Sequence, residues 1–156
     1  GFEAADPDLF VGRPFLLVPT SRTTPEAAAR AEELARLLGA RPLWMEAETH
    51  DRQVAWISHL PYVTAMALVA AVEATGDPAL WEIAASGFRD ATRVAASDPR
   101  MMGEVIRSNA DEVVAALEAL LRILEAWRAA LKASPPSLPP EWPRLAARRR
   151  GWSRGA

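Results

Sequence analysis

The spacing of apolar residues changes part-way along this chain. Phe15-Leu16-Leu17-Val18 is a short apolar run closed by Pro19, the length of a buried strand. Thr24-Pro25-Glu26 follows, an N-cap threonine before a proline at the first helical position, with a carboxylate in the first turn. The helix it opens carries Ala29, Leu34, Leu37 and Leu38 and stops at Gly39. Pro42-Leu43-Trp44-Met45 reads as a second strand. Strand, helix and strand with short joints predict an α/β unit. One such unit is too small to stand alone, so residues 1–48 read as the edge of a larger sheet, entered through a loop over residues 1–12.

From residue 50 the pattern becomes helical. No charged residue occurs between Gln53 and Val72, while Val54, Ile57, Val63, Met66, Leu68, Val69 and Val72 recur around every face. A helix that is apolar all round is buried or spans a membrane. Ser58, His59, Pro61, Tyr62 and Thr64 make a poor lipid-facing surface, so burial is expected, with a second subunit supplying the partners that one chain lacks. Pro61 cannot donate to the carbonyl of Ile57, so a kink or a freed acceptor is expected there. Asp77-Pro78 opens a shorter helix through Leu80, Trp81 and Ile83, and a further segment runs from Phe88 to Ala96. Asp98 caps a helix with Pro99 at its first position. The last helix carries Val113, Leu117, Leu120, Leu121, Leu124, Trp127 and Leu131 on one stripe, with Asp111, Glu118, Arg122 and Arg128 outside it. The fold class is therefore mainly α, with a helical domain over 49–132 preceded by a short β-α-β piece. Ser134-Pro135-Pro136 through Pro139-Pro140 and then Arg148-Arg149-Arg150 predict a disordered tail over 133–156.

Composition removes several kinds of chemistry. The 156 residues contain no cysteine, which excludes disulfides, thiolate catalysis and cysteine-held metals within the chain. The two histidines, His50 and His59, would lie about 900° apart on one helix, half a turn out of phase, and cannot clamp a metal from one face. A net charge of −2 gives no reason to expect nucleic acid. No Gly-x-Gly-x-x-Gly, phosphate loop or Gly-x-Ser-x-Gly elbow occurs. Nothing in the opening residues reads as a secretory signal, and a cytoplasmic protein without a membrane span is expected.

Four places carry polar chemistry. Glu48-Thr49-His50-Asp51 is a charged cluster between the two parts. In Ser58-His59-Leu60-Pro61-Tyr62, Ser58 and Tyr62 are four apart and share a face, and polar groups on an apolar helix must be hydrogen-bonded or face a cavity. In Ser86-Gly87-Phe88-Arg89-Asp90-Ala91-Thr92-Arg93, Gly87 admits a close backbone approach. Arg93, four after Arg89, can form a carboxylate fork, unless Asp90 neutralises one arginine. Ser97-Asp98-Pro99-Arg100-Met101-Met102 is chiefly a helix start.

Taken in order, Asp8-Leu9-Phe10-Val11-Gly12-Arg13-Pro14-Phe15, Pro19-Thr20, Leu38-Gly39-Ala40, His50-Asp51, Ser58-His59-Leu60-Pro61, and Gly87-Phe88-Arg89-Asp90-Ala91-Thr92-Arg93 with Ser97-Asp98-Pro99 resemble the prephenate dehydrogenase family, including its arogenate-using relatives, from residue 1 to about 132. The resemblance implies an N-terminal Rossmann-type domain carrying the dinucleotide loop, of which residues 1–48 would be the remnant. It also implies a C-terminal helical domain that forms an intertwined homodimer. The implied reaction is oxidation and decarboxylation of prephenate with NAD or NADP to 4-hydroxyphenylpyruvate, in tyrosine biosynthesis. The family's general-base histidine lies in a His-Pro-x-x-Gly motif upstream of Gly1, so no catalytic residue falls in this chain, and the fragment alone is expected to be inactive. Arg93 falls on the arginine that holds a substrate carboxylate, and Ser58 and His59 fall in the motif lining the pocket beside the nicotinamide. Tyr62 stands where many members have a second histidine, and Met102 where they have a tryptophan. Tyr62 keeps a donor without the switchable charge, and Met102 keeps bulk without the indole N–H. Both changes bear on the choice between prephenate and arogenate. A stand-alone dimerisation or interaction module without catalysis is the competing reading, decided by whether the coding sequence upstream carries the dinucleotide loop.

Overall fold

The computed structural model describes residues 5–152. It divides into two compact units, residues 51–126 and residues 1–50 with 127–156. In the latter unit, β1 (Pro14–Leu17), α1 (Pro25–Leu37) and β2 (Arg41–Trp44) form the expected strand-helix-strand piece, with the strands paired parallel, Pro14 opposite Arg41 and Leu17 opposite Trp44. The Thr24 hydroxyl accepts from the Ala27 N–H at 3.2 Å, as an N-cap should. Gly39 ends the turn at φ +70°, and a Cβ there would lie 3.1 Å from Val11 Cγ2, so only glycine fits both the backbone and the space. Parallel sheets are ordinarily covered on both faces. Here Leu16, Leu43 and Trp44 are exposed, as expected of a sheet edge.

Three continuous stretches, α2 (Ala47–Val54), a π-turn (Ala55–His59) and α3 (Leu60–Glu73), make one long helix. The π-turn answers the expectation at Pro61. The Leu60 N–H reaches back to the Ala55 carbonyl, so the backbone widens by one residue immediately before the proline that cannot donate. By length and composition Ala47–Glu73 could cross a membrane, with mean hydropathy 1.5 over its most apolar window. Burial on all sides is not what one chain provides, since only 22% of that window is covered. Within residues 51–126, Ala55, His59, Tyr62 and Ala65 are the buried positions of the helix.

Against this helix pack α5 (Ser86–Thr92) and the 3₁₀ turn Arg93–Ala96, after the short α4 (Ala79–Ile83). Asp77 accepts from the Ala79 N–H at 3.0 Å, the bond an N-cap makes to a helix opened by Pro78. Asp98 caps α6 (Pro99–Ser108) by accepting from the Arg100 N–H at 2.8 Å. The following α7 (Ala110–Lys132) is a separate helix, because Asn109 leaves helical geometry at φ −127°, ψ 33°. Of its apolar stripe only Val113, together with Ala116, is buried, whereas Leu121, Leu124 and Leu131 are exposed.

The expected disordered tail is corrected for the residues described. The chain forms a further helix, α8 (Trp142–Gly151), and residues 153–156 lie outside the described residues. Composition missed it because the order comes from a contact across sequence. Trp127 and Trp142 meet edge to face at 5.7 Å, the Trp127 indole N–H donates to Glu141 at 2.7 Å, and Pro139 is buried. That indole holds the Glu141 carboxyl below the ordinary carboxylate range, with the backbone hydrogen bond at Glu141 adding to it. A depressed folded pKa contributes stability that is present above the unfolded value and is lost as pH falls through the folded one. Acidification through and below the ordinary carboxylate range should therefore loosen α8 from Trp127, read as a change in tryptophan emission that Glu141→Gln abolishes. An emission profile identical in the variant would rule the contact out.

Candidate functional site

All five residues expected to line a substrate site, Ser58, His59, Tyr62, Arg93 and Met102, lie in the unit spanning residues 51–126. The structure separates them into two environments. His59 is 7% exposed and Tyr62 9%, on the stripe Ala55-His59-Tyr62-Ala65, whose steps of four, three and three keep to one helix face. Ser58 is exposed in the single chain, while Tyr62, four positions on, is buried. Spacing places two side chains near one another on a helix but does not decide which edge of that face its neighbours cover. Here the cover centres on His59 and Tyr62.

Arg93 is exposed at the start of the 3₁₀ turn, on the segment that packs against α3. The alternative of an Arg93–Asp90 pair is not what forms. Asp90 lies 3.7 Å from the Arg89 Nε instead, with both side chains largely in solvent, so that contact contributes little. Met102, on α6, is half-buried. The position where a Gly87 Cβ would lie has nothing within 4 Å among the described residues. Beside it, Val72, Leu80, Ala84 and Phe88 line an apolar hollow of about 140 Å³, with Trp81 edge-on to Phe88 at 5.9 Å. The cluster around Glu48 to Asp51 falls within α2.

One residue of the site escaped the sequence. Asn109, at the break between α6 and α7, donates its side-chain amide to the Asp51 carbonyl at 2.7 Å and lies 3.3 Å from His59 Nδ1. The only hint was an asparagine interrupting a helical pattern, a residue type that favours such breaks. Among the described residues, no group of three or more His, Cys, Asp or Glu could hold a metal.

The model of one family, described as "Prephenate dehydrogenase, dimerization domain", matches residues 46–137, more than half of the chain. The chain belongs to the prephenate dehydrogenase family. It is 34% identical over 134 residues to the cyclohexadienyl dehydrogenase of Zymomonas mobilis, an alignment covering 84% of this chain and 46% of that protein. The prephenate dehydrogenase of Aquifex aeolicus, solved in complex with hydroxyphenyl propionate and NAD+, superposes with a TM-score of 0.84 at 26% identity over 96% of this chain and 53% of the other. The Synechocystis arogenate dehydrogenase superposes at 0.69 with 28% identity, covering 92% and 51%. The chain thus spans about half the length of these relatives. The fold of this family member is as expected, mainly α with a strand-helix-strand piece of a Rossmann-type domain before the helices.

Proposed function

We propose that this chain is the C-terminal, dimerising and substrate-binding part of a dehydrogenase that converts prephenate to 4-hydroxyphenylpyruvate by oxidation and decarboxylation, with NAD or NADP, in the cytoplasm. The observation that carries the reading is a buried imidazole and phenol, His59 and Tyr62, on an apolar helix against which the segment bearing Arg93 packs. A pocket for an anionic, hydroxylated ring uses both polar groups. Arg93 offers two parallel donors to a carboxylate, and His59 and Tyr62 offer polar contacts to the ring oxygens. Tyr62 and Met102 support arogenate as the second substrate to test, as does the likeness to an arogenate dehydrogenase.

The nicotinamide cofactor does not fit the residues present. The β1–α1 connection, Val18 to Thr24, contains no glycine, and a pyrophosphate requires close backbone approach at such a turn. The cofactor would be held by a nucleotide-binding domain outside this chain. The exposed apolar surface of the long helix supports a homodimer, in which the second copy rather than lipid covers it. Nucleic acid is not part of the reading, given a net charge of −2.

The test compares this chain with a longer protein that contains it and a dinucleotide-binding domain, each given prephenate and arogenate with both cofactors. The chain alone should show no turnover, and the longer protein should reduce NAD or NADP. Turnover by the isolated chain, or none by the longer protein with either substrate, would sink the proposal.

A further inference from the structure

Among the described residues, His59 and Tyr62 are the buried side chains that carry a polar group, and what His59 can do depends on which ring nitrogen carries the proton. The Asn109 carboxamide settles this by geometry. The Asp51 backbone carbonyl can only accept, so the Asn109 atom 2.7 Å from it is the amide nitrogen, a donor. That nitrogen has a second hydrogen, and His59 Nδ1 lies 3.3 Å from it. An amide nitrogen has no lone pair to accept a ring N–H, so Nδ1 must offer its own lone pair. In the neutral ring the proton then sits on Nε2.

We infer that Asn109 is a positioning residue that fixes His59 as the Nε2–H tautomer, making the buried imidazole a hydrogen-bond donor at Nε2. Two features make the arrangement more than incidental packing. The partners are 50 and 58 positions apart in sequence, so the contact ties the α6–α7 break to the long helix. The break itself is where Asn109 leaves helical geometry, and its ring partner closes the π-turn, a helix irregularity that often accompanies function. The use of Nε2–H toward a substrate oxygen rests on the dehydrogenase reading above. The tautomer does not.

The chain contains only two histidines, so selective ¹⁵N labelling of histidine reads the state directly, with His59→Gln assigning the signals. At a pH where the ring is neutral, His59 should show a protonated, pyrrole-type Nε2 and a pyridine-type Nδ1. Asn109→Asp places an acceptor opposite Nδ1, so Nδ1 should acquire the proton and the signature should exchange. Asn109→Ala removes the donor, and both nitrogens should move toward averaged shifts. A native chain with the proton on Nδ1 overturns the inference, as does a folded Asn109→Ala chain that keeps the native signature. Should Asn109→Asp fail to fold, the alanine variant still decides. Failure of the dehydrogenase reading would appear separately, as absent turnover in the longer protein with the tautomer signature intact.

Discussion

Ile57→Glu should turn a dimeric chain into a monomeric one. Ile57 is 77% exposed in the single chain, on a long helix that also exposes Trp56, Met66 and Leu68. Exposed apolar surface of this kind gains roughly 25 cal/mol for each Å² removed from water, and a stable interface removes about 800 Å² from each partner. A carboxylate buried there without a partner costs about 3–5 kcal/mol. In a twofold interface the same residue enters twice. The combined cost, at least about 6 kcal/mol, weakens association by roughly 10⁴-fold. Because Ile57 touches little within its own chain, helicity by circular dichroism should be preserved while light scattering falls to the monomer mass. A native chain already monomeric at micromolar concentration would contradict the proposed homodimer. A variant that remains dimeric would move the interface to another face, such as the exposed Leu121, Ile123 and Leu124 of α7.

The second large effect is expected at Arg93. A carboxylate substrate needs a fixed counter-charge, and a guanidinium offers a planar pair of donors where lysine offers one point charge. Losing a charge-assisted hydrogen bond typically costs about 1.5–3 kcal/mol, roughly 10- to 150-fold in affinity. In the longer enzyme, Arg93→Ala should raise KM for prephenate by that factor, and Arg93→Lys should recover part of the loss. Stability should hardly change, since Arg93 is exposed and Asp90 sits by Arg89 rather than by Arg93. An unchanged KM with a lowered Tm would make Arg93 a structural residue and remove it from the site.

How far the sequence could be read depended on how far apart the interacting residues lie. The cap at Thr24, the positive-φ stop at Gly39 and the cap at Asp98 appear where expected, because each is decided by hydrogen bonds or backbone sterics within a few residues. The irregularity before Pro61 was legible for the same reason, a missing donor acting on its own turn. The strands shifted by one residue at most, since an apolar run bounded by turn residues has little freedom.

Longer-range decisions were not legible. Ser58 and Tyr62 fall within one helical spacing, yet packing covers His59 and Tyr62 and leaves Ser58 in solvent. Proline-rich sequence signalled disorder after Lys132, but the indole of Trp127 organises Glu141 and Trp142 and a helix follows. Nothing in the residues around Asn109 signals the ring that its side chain meets 50 positions away. The sequence alone determined the boundaries at Thr24, Gly39 and Asp98, because those choices are local competitions for backbone hydrogen bonds and backbone conformations. Only the tertiary structure decided which polar groups become buried and which nitrogen of His59 accepts, because burial and tautomer are set by atoms that approach from distant parts of the chain.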